Sequence, residues 1–240
     1  MRNFVITGSA SGLGKEIYRL INQTEGMKAF GVDKDKGINT DINIDIRELW
    51  ATSGAIASRF DGFHEIYGLI NCAGVNYINN MEDIPEEQWY RVMDTNAKGI
   101  WLMAKGLMPL LEKSKGVILN IVSNAAHIPM THSIAYNASK AAALMMTKQM
   151  SRELTKSKGI TVFSISPNKL KGTGMSTYIE KTVLELRPDL TADQAKQYQL
   201  NALPAGFETD PKHIAELIVW LLEKPHRHKY LTGCDLQLGA

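Results

Sequence analysis

The sequence predicts one α/β domain: a doubly wound, seven-stranded parallel sheet with helices on both faces. Three observations predict it. Short apolar runs rich in β-branched residues alternate with longer stretches of helical period, the order that a parallel sheet with crossover helices requires. A glycine-rich turn, TGSASGLG at residues 7–14, joins the first such run to the first helical stretch. The chain has 240 residues, 44% of them hydrophobic, with no repeat or low-complexity linker to divide it, so residues 1–240 are read as a single domain around one core.

Taken in order, strands are expected at NFVIT (3–7), KAFGVD (28–33), INIDI (42–46), YGLIN (67–71), GVILNIVS (116–123), ITVFSIS (160–166) and DLQL (235–238). The helices between them begin with KEIYRLINQ, directly after the glycine turn. One long helix is expected over PEEQWYRVMDTNAKGIWLMAKGLMPLLEK and another over SIAYNASKAAALMMTKQMSREL. A last one covers DPKHIAELIVWLLEK, with Asp210 placed to cap it and Pro211 in its first turn. Residues 174–209 are polar and weakly periodic, and a segment of that length between two strands is expected to form a lid over a site.

The net charge is +2, with acids and bases interleaved, so no nucleic-acid partner is implied. The longest apolar runs, such as LIVWLL, are too short to cross a bilayer, and the first strand begins at once, so neither a membrane span nor a leader is expected. Two cysteines, Cys72 and Cys234, are too few and too scattered for a disulfide framework or a cysteine metal site. No metal is expected. Two buried thiols in a reducing, cytoplasmic compartment are.

The glycine turn carries the first functional signal. Gly8, Gly12 and Gly14 stand between strand and helix, where glycine lets a pyrophosphate approach the helix N-terminus and its unpaired N–H groups. The spacing G-x-x-x-G-x-G differs from the G-x-G-x-x-G fingerprint. A tight turn without a ligand is the competing reading. Asp33, nineteen positions beyond Gly14 at the end of the second strand, favours the ligand, since a carboxylate there can accept from both adenosine-ribose hydroxyls and repels a 2′-phosphate. Ser11 is not basic, so the turn offers that phosphate no cation and NAD is favoured over NADP. Lys34 and Lys36 either soften this preference or form a solvated turn.

Tyr136 is the only tyrosine with a lysine four positions on, Lys140. One helical turn apart, the ammonium can sit near the phenol and is expected to lower its pKa, which makes Tyr136 a general acid/base. Ser123 closes the fifth strand, where its hydroxyl can project from the sheet edge and hydrogen-bond a substrate oxygen. Residues 124–134 and the lid near Met175 should line the substrate pocket, with Asn124, His127, His132 and Met175 as candidates.

TGSASGLG, NCAG at 71–74, Asn96, Ser123 and YNASK at 136–140 occur in an order that resembles the short-chain dehydrogenase/reductase family over nearly the whole chain. The resemblance implies a Rossmann-type fold and an NAD(P)-dependent oxidoreductase that transfers a hydride between the nicotinamide and an alcohol or carbonyl, working as a homodimer or homotetramer. It also implies that Lys140 holds the nicotinamide ribose and that Asn96 orders a water linking Lys140 to solvent. Cofactor contacts carried over in the same way are Gly8, Ser11, Gly12, Leu13, Gly14, Asp33, Asp45, Ile46, Asn71, Ala73, Gly74, Tyr136, Lys140, Pro167 and Thr173. The stretch VSNAAHIPMTHSIAYNASK is similar to dehydrogenases of dihydrodiols and cyclic alcohols, so a small or cyclic secondary alcohol or ketone is the expected substrate.

The chain departs from the family at several places. Cys72 replaces a common Asn or Ala. Asn168 stands for the glycine after Pro167, where its tolerance of positive φ is expected to preserve the turn, and Thr173 comes one place late. Lys169 and Lys171 nearby either meet cofactor phosphate or lie in a solvated loop. The arginine after P-x-G is missing from LPAGFETDP, and LQLGA replaces V-D-G-G. These departures touch the lid and the subunit contacts. They leave open the alternative of a catalytically idle NAD(H)-binding sensor or scaffold of the same fold.

Overall fold

The last four residues of β1 (Arg2–Thr7) are buried, because the strand is paired along both edges and covered on both faces. The computed structural model describes residues 1–51, 55–201, 203 and 206–239. Pro204 and Ala205 of the LPAGFETDP stretch, Ala202 of the expected lid and Ala240 lie outside the described residues.

β1 pairs in parallel with β2 (Met27–Asp33) on one side and β4 (Gly68–Asn71) on the other. β3 (Ile42–Asn43) extends the sheet beyond β2, while β5 (Val117–Ile121), β6 (Thr161–Pro167) and β7 (Asp235–Leu238) follow β4. The seven strands run in the order β3-β2-β1-β4-β5-β6-β7, so the chain reverses its direction of travel between β1 and β4. A crevice opens beyond the C-terminal ends of the strands at such a switch point.

Alternating side chains feed two cores. Phe4, Ile6, Ile70, Leu119 and Phe163 face α1 (Gly12–Gln23) and α8 (Pro211–Glu223), packing on Ile17, Ile21, Ile218 and Leu222. Val5, Leu69, Ile118 and Val162 face the other way, onto Leu102, Met103 and Leu107 of α4 (Gly99–Ser114) and Leu154 of α5 (Ile134–Lys158). Asp210 caps α8 by accepting from Lys212 N at 2.9 Å, as expected.

Three expected elements differ. The third strand stops at Asn43 because Asp45 accepts the backbone N–H of Arg47 at 3.0 Å, a local turn that competes with the sheet ladder and leads into a 3-10 turn, Ile46–Ala51. The long helix divides into α3 (Glu86–Met93), a π turn over Asp94–Lys98 and α4. Within 174–209 the chain forms α6 (Gly174–Leu186) and α7 (Ala192–Asn201). Two short helices, α2 (Ala55–Ser58) and α9 (Pro225–His228), carried no periodic signal long enough to read. Among the described residues no helix is long and apolar enough to cross a membrane.

At the opposite end of the sheet, away from the crevice, His228 is 3% exposed. It stacks on Phe163 and meets the Tyr67 hydroxyl at 3.3 Å, while Arg2 lies over the Tyr67 ring. Burial, with Arg2 adding, pushes His228 down from 6.5 to about 4. The unfolded chain therefore binds the extra proton first, and stability is lost as pH falls from about 6.5 towards about 4. Calorimetry of His228→Phe over that range should show a shallower decline in Tm than the parent; equal slopes would contradict the assignment.

Candidate active site

The crevice is built by two turns pressed together. The Thr7 hydroxyl at the end of β1 accepts the backbone N–H groups of Cys72 and Ala73, at 3.1 and 3.0 Å. Gly8 has φ +74, and a Cβ there would lie 2.7 Å from Ala73 Cα, so only glycine permits the contact. A Cβ on Gly14 would stand 2.1 Å from the Gly8 carbonyl oxygen. Ser11 is the exposed N-cap of α1, its side chain makes no capping bond, and the first turn holds no acid. That leaves unpaired N–H groups and a positive helix end facing the crevice, which suits an anion. A Cβ on Gly12 would approach Thr173 Cγ2 at 3.7 Å, so the late threonine still reaches the glycine turn. The turn therefore fits the pyrophosphate of a dinucleotide.

Around it the expected cofactor residues fall into two groups. Asp33 is half-buried; its carboxylate accepts Ala10 N and Asp35 N, each at 2.9 Å, which locks it beside the glycine turn with lone pairs to spare. Gly74 lies half-buried at the crevice rim and Pro167 closes β6. Leu13 and Ile46 point into the cores, so they can offer only backbone. Asn71 is turned inward, donating to Asn120 at 2.8 Å. Asp45 is held bidentately by Arg47. Its burial opposes ionisation, but the Arg47 bonds hold the carboxyl below its ordinary range. Lys34 pairs with Asp35 at 2.8 Å and Lys36 is exposed, as in a solvated turn.

Tyr136 and Lys140 are both buried on α5, and the Ser123 hydroxyl stands near enough to the phenol to lower its pKa. Ser123 Oγ also accepts Ala125 N at 3.1 Å, which leaves its own hydrogen free to donate. Burial pushes the Tyr136 phenol up and the Ser123 bond pulls it down, with the net shift upward. The expected acidification by Lys140 is thus corrected. Its ammonium lies 5.7 Å from the ring centroid and donates to the Ile121 carbonyl at 3.0 Å, so the lowering contact comes from Ser123. Burial also brings Lys140 down to about 8, opposed by Cys72, and pushes the Cys72 thiol up to about 12.

Asn96 is fully buried in the π turn. Its carboxamide accepts Val75 N at 2.9 Å and donates to Val75 O at 2.8 Å and Ser139 Oγ at 3.0 Å. Both of its protons are used, so a water could take only its remaining acceptor site. A Cβ on Gly74 would come within 3.6 Å of Asn96 Oδ1 and 3.7 Å of Lys140 Nζ, so the two groups flank one gap.

The substrate-side candidates separate. Asn124 is buried beside Ser123 and its Oδ1 has no partner. Met175 is half-buried in the first turn of α6. His127 instead pairs with Asp235 of β7 at 2.8 Å, where Ser164 and Ser166 also donate. His132, at φ +60, lines a cleft of about 380 Å³ with Asn79, Met81, Pro129 and Ser133. Asn168 does not use positive φ. Its side chain instead bonds Phe207 O and Thr209, and Lys169 pairs with Glu180 and Glu208, at 2.9 Å each, rather than meeting solvent or phosphate; Lys171 is exposed. These contacts pin the two ends of the 174–209 excursion together, and Tyr178 of α6 accepts Ile78 N at 3.3 Å across the site. Thr7, Arg47 and Asn137 were missed. Thr7 and Asn137 stand inside the quoted motifs, where they read as spacers.

A sequence profile of the family described as short chain dehydrogenase matches residues 2–184. The chain is 27% identical to the 2-(S)-hydroxypropyl-CoM dehydrogenase 3 of Xanthobacter autotrophicus, over 95% of this chain and 91% of that protein. It is 30% identical to a 2,5-dichloro-2,5-cyclohexadiene-1,4-diol dehydrogenase of Sphingobium indicum, over 98% and 94%. The solved structure of a short chain dehydrogenase family protein from Francisella tularensis superposes with a TM-score of 0.86 at 23% identity, over 99% of this chain and 97% of that one.

The burial of Lys140 can be read thermodynamically. The folded state releases this proton near 8 and the unfolded chain near 10.5, so the parent gains stability as pH rises through that window. Relative to the parent, Lys140→Met should therefore lose stability between pH 8 and 10.5. Chemical denaturation at three pH values checks this, and a constant difference would contradict it.

Proposed function

The chain belongs to the short-chain dehydrogenase family, whose relatives act as NAD(P)-dependent dehydrogenases and reductases on alcohols and ketones, and on that footing we propose an NAD-preferring enzyme for a small or cyclic secondary alcohol or ketone. The observation that carries the reading is the Ser123 hydroxyl set beside a buried Tyr136 phenol, with the Lys140 ammonium 5.7 Å from the ring centroid.

Gly8, Gly12, Gly14 and the Gly74 rim would hold a nicotinamide dinucleotide, which when bound would supply hydride transfer to or from the substrate carbon. In the oxidative direction the substrate O–H proton passes to the Tyr136 oxygen as the C–H electron pair leaves the same carbon; in reduction Tyr136 returns the proton to the carbonyl oxygen. Ser123 donates to that oxygen as charge gathers on it. Lys140 would hold the ribose, while Ser123 supplies the contact that favours the ionised phenol. Asn96 fixes Val75 and so the rim on which the nicotinamide would rest.

Asp33 beside the glycine turn supports NAD over NADP, since its carboxylate would face a 2′-phosphate. The ring-diol specificity in the name of the Sphingobium relative supports a cyclic substrate, with Asn124 and Met175 as its contacts. Exposed Trp101 on α4 and Met145 on α5 support a homodimer or homotetramer built on these helices. The thiols are not both buried as expected, since Cys72 is half-buried and Cys234 exposed, but both are unbridged, which supports a cytoplasmic location.

In a screen of ring alcohols and ketones, Tyr136→Phe should lower kcat by roughly 10²–10⁴-fold while NADH still binds, as followed by its fluorescence. Parent protein that binds NADH and turns over nothing across the panel would favour an idle sensor instead. Asp33→Ala should narrow the NAD over NADP ratio of kcat/KM by about tenfold or more, ~1.4 kcal/mol; an unchanged ratio would remove Asp33 from cofactor choice.

A further inference from the structure

The loop that follows Ser123 has little apolar burial to hold it. Ile128 and Met130 are 48% and 40% exposed, and Pro129 lies on the surface with them. On the α5 side the loop is held by one side chain, Asn137, the residue after Tyr136. Its amide nitrogen donates to the carbonyls of Ala125 and Ile128, both at 2.7 Å, and its oxygen accepts Met130 N at 3.3 Å. Two donors and one acceptor in one plane are what a primary amide offers, and all are spent on backbone.

The same loop fixes Ser123. Ala125 N donates to Ser123 Oγ at 3.1 Å and Ala126 N donates to Ser123 O at 2.9 Å. A short closed path therefore runs from the Ser123 hydroxyl through Ala125 to Asn137, and along one peptide bond to Tyr136. Between those anchor points the loop is tied independently, by His127 to Asp235 at 2.8 Å.

We propose that Asn137 is a positioning residue that holds the Ser123 hydroxyl against the Tyr136 phenol by stapling the loop between them; this rests on the oxidoreductase reading above. Asn137 borders the cleft lined by His132, but the three hydrogen bonds of its amide all go to loop backbone. Its effect passes through Ser123, which makes it separable from a general contribution to folding.

A double-mutant cycle makes that separation. Asn137→Ala should lower kcat roughly 10- to 100-fold, as a displaced catalytic group does, with the NADH dissociation constant unchanged. In a Ser123→Ala background the same substitution should cost less than about threefold, because the group it positions is gone. Equal losses in both backgrounds, or no loss, would overturn the proposal. If Asn137→Ala does not fold, Asn137→Ser, which keeps one donor, takes its place in the cycle.

A second readout needs no turnover. The near-ultraviolet absorbance of the Tyr136 phenolate, taken as the difference from Tyr136→Phe, should titrate at higher pH in Asn137→Ala, as it should in Ser123→Ala. An inactive parent with that shift would sink the activity and leave the staple standing. An active parent without it would do the reverse.

Discussion

The buried carboxamide of Asn96 ties three segments that are far apart in sequence. It grips both backbone groups of Val75, after the β4 turn, and the hydroxyl of Ser139 on α5, from a π turn between α3 and α4. A regular helix through this stretch would not carry the extra residue that a π turn inserts, and such turns gather at functional sites. The consequence is spatial. Val75 is fixed beside Gly74, and Gly74 leaves the gap that Asn96 Oδ1 and Lys140 Nζ both border. Without that bond, the rim of the crevice and the helix bearing Tyr136 would lose their common anchor.

The electrostatics follow from the same enclosure. A phenol and an ammonium are both desolvated, which raises one and lowers the other, so burial alone favours the neutral form of each. A buried pair of this kind responds strongly to each added hydrogen bond, because low local dielectric strengthens it. That is why the orientation of the Ser123 hydroxyl matters. Its oxygen is occupied by Ala125 N and its hydrogen remains free for the phenol or for a substrate oxygen.

The seven strands and the glycine turn were legible in the sequence because short apolar runs and glycine spacing are local signals. The Tyr136–Lys140 pair was legible for the same reason, since helical geometry fixes what stands one turn away. The direction of the phenol shift was not, because it depends on where the lysine's donor is spent, and Ile121 lies nineteen residues before it. Asp45 read as part of a strand until Arg47 turned it into a local cap. Asn168 read as a stand-in for glycine, whereas it works through its side chain on Thr209 and Phe207, forty residues on in the chain. Asn137 was invisible for a simpler reason: within YNASK it read as a spacer between the tyrosine and the lysine, and only the fold shows which carbonyls surround it.

In the proposed reaction a carbon centre on the substrate exchanges two electrons with the nicotinamide while Tyr136 handles the proton. Following the label tests this most directly. NADH deuterated at the transferring position of C4 is supplied with a ketone from the ring series, and the product is examined by mass spectrometry and NMR. The account predicts a single deuterium on the carbinol carbon. Product whose carbinol carbon carries only solvent hydrogen, with the label lost to water or still on the cofactor, would contradict it.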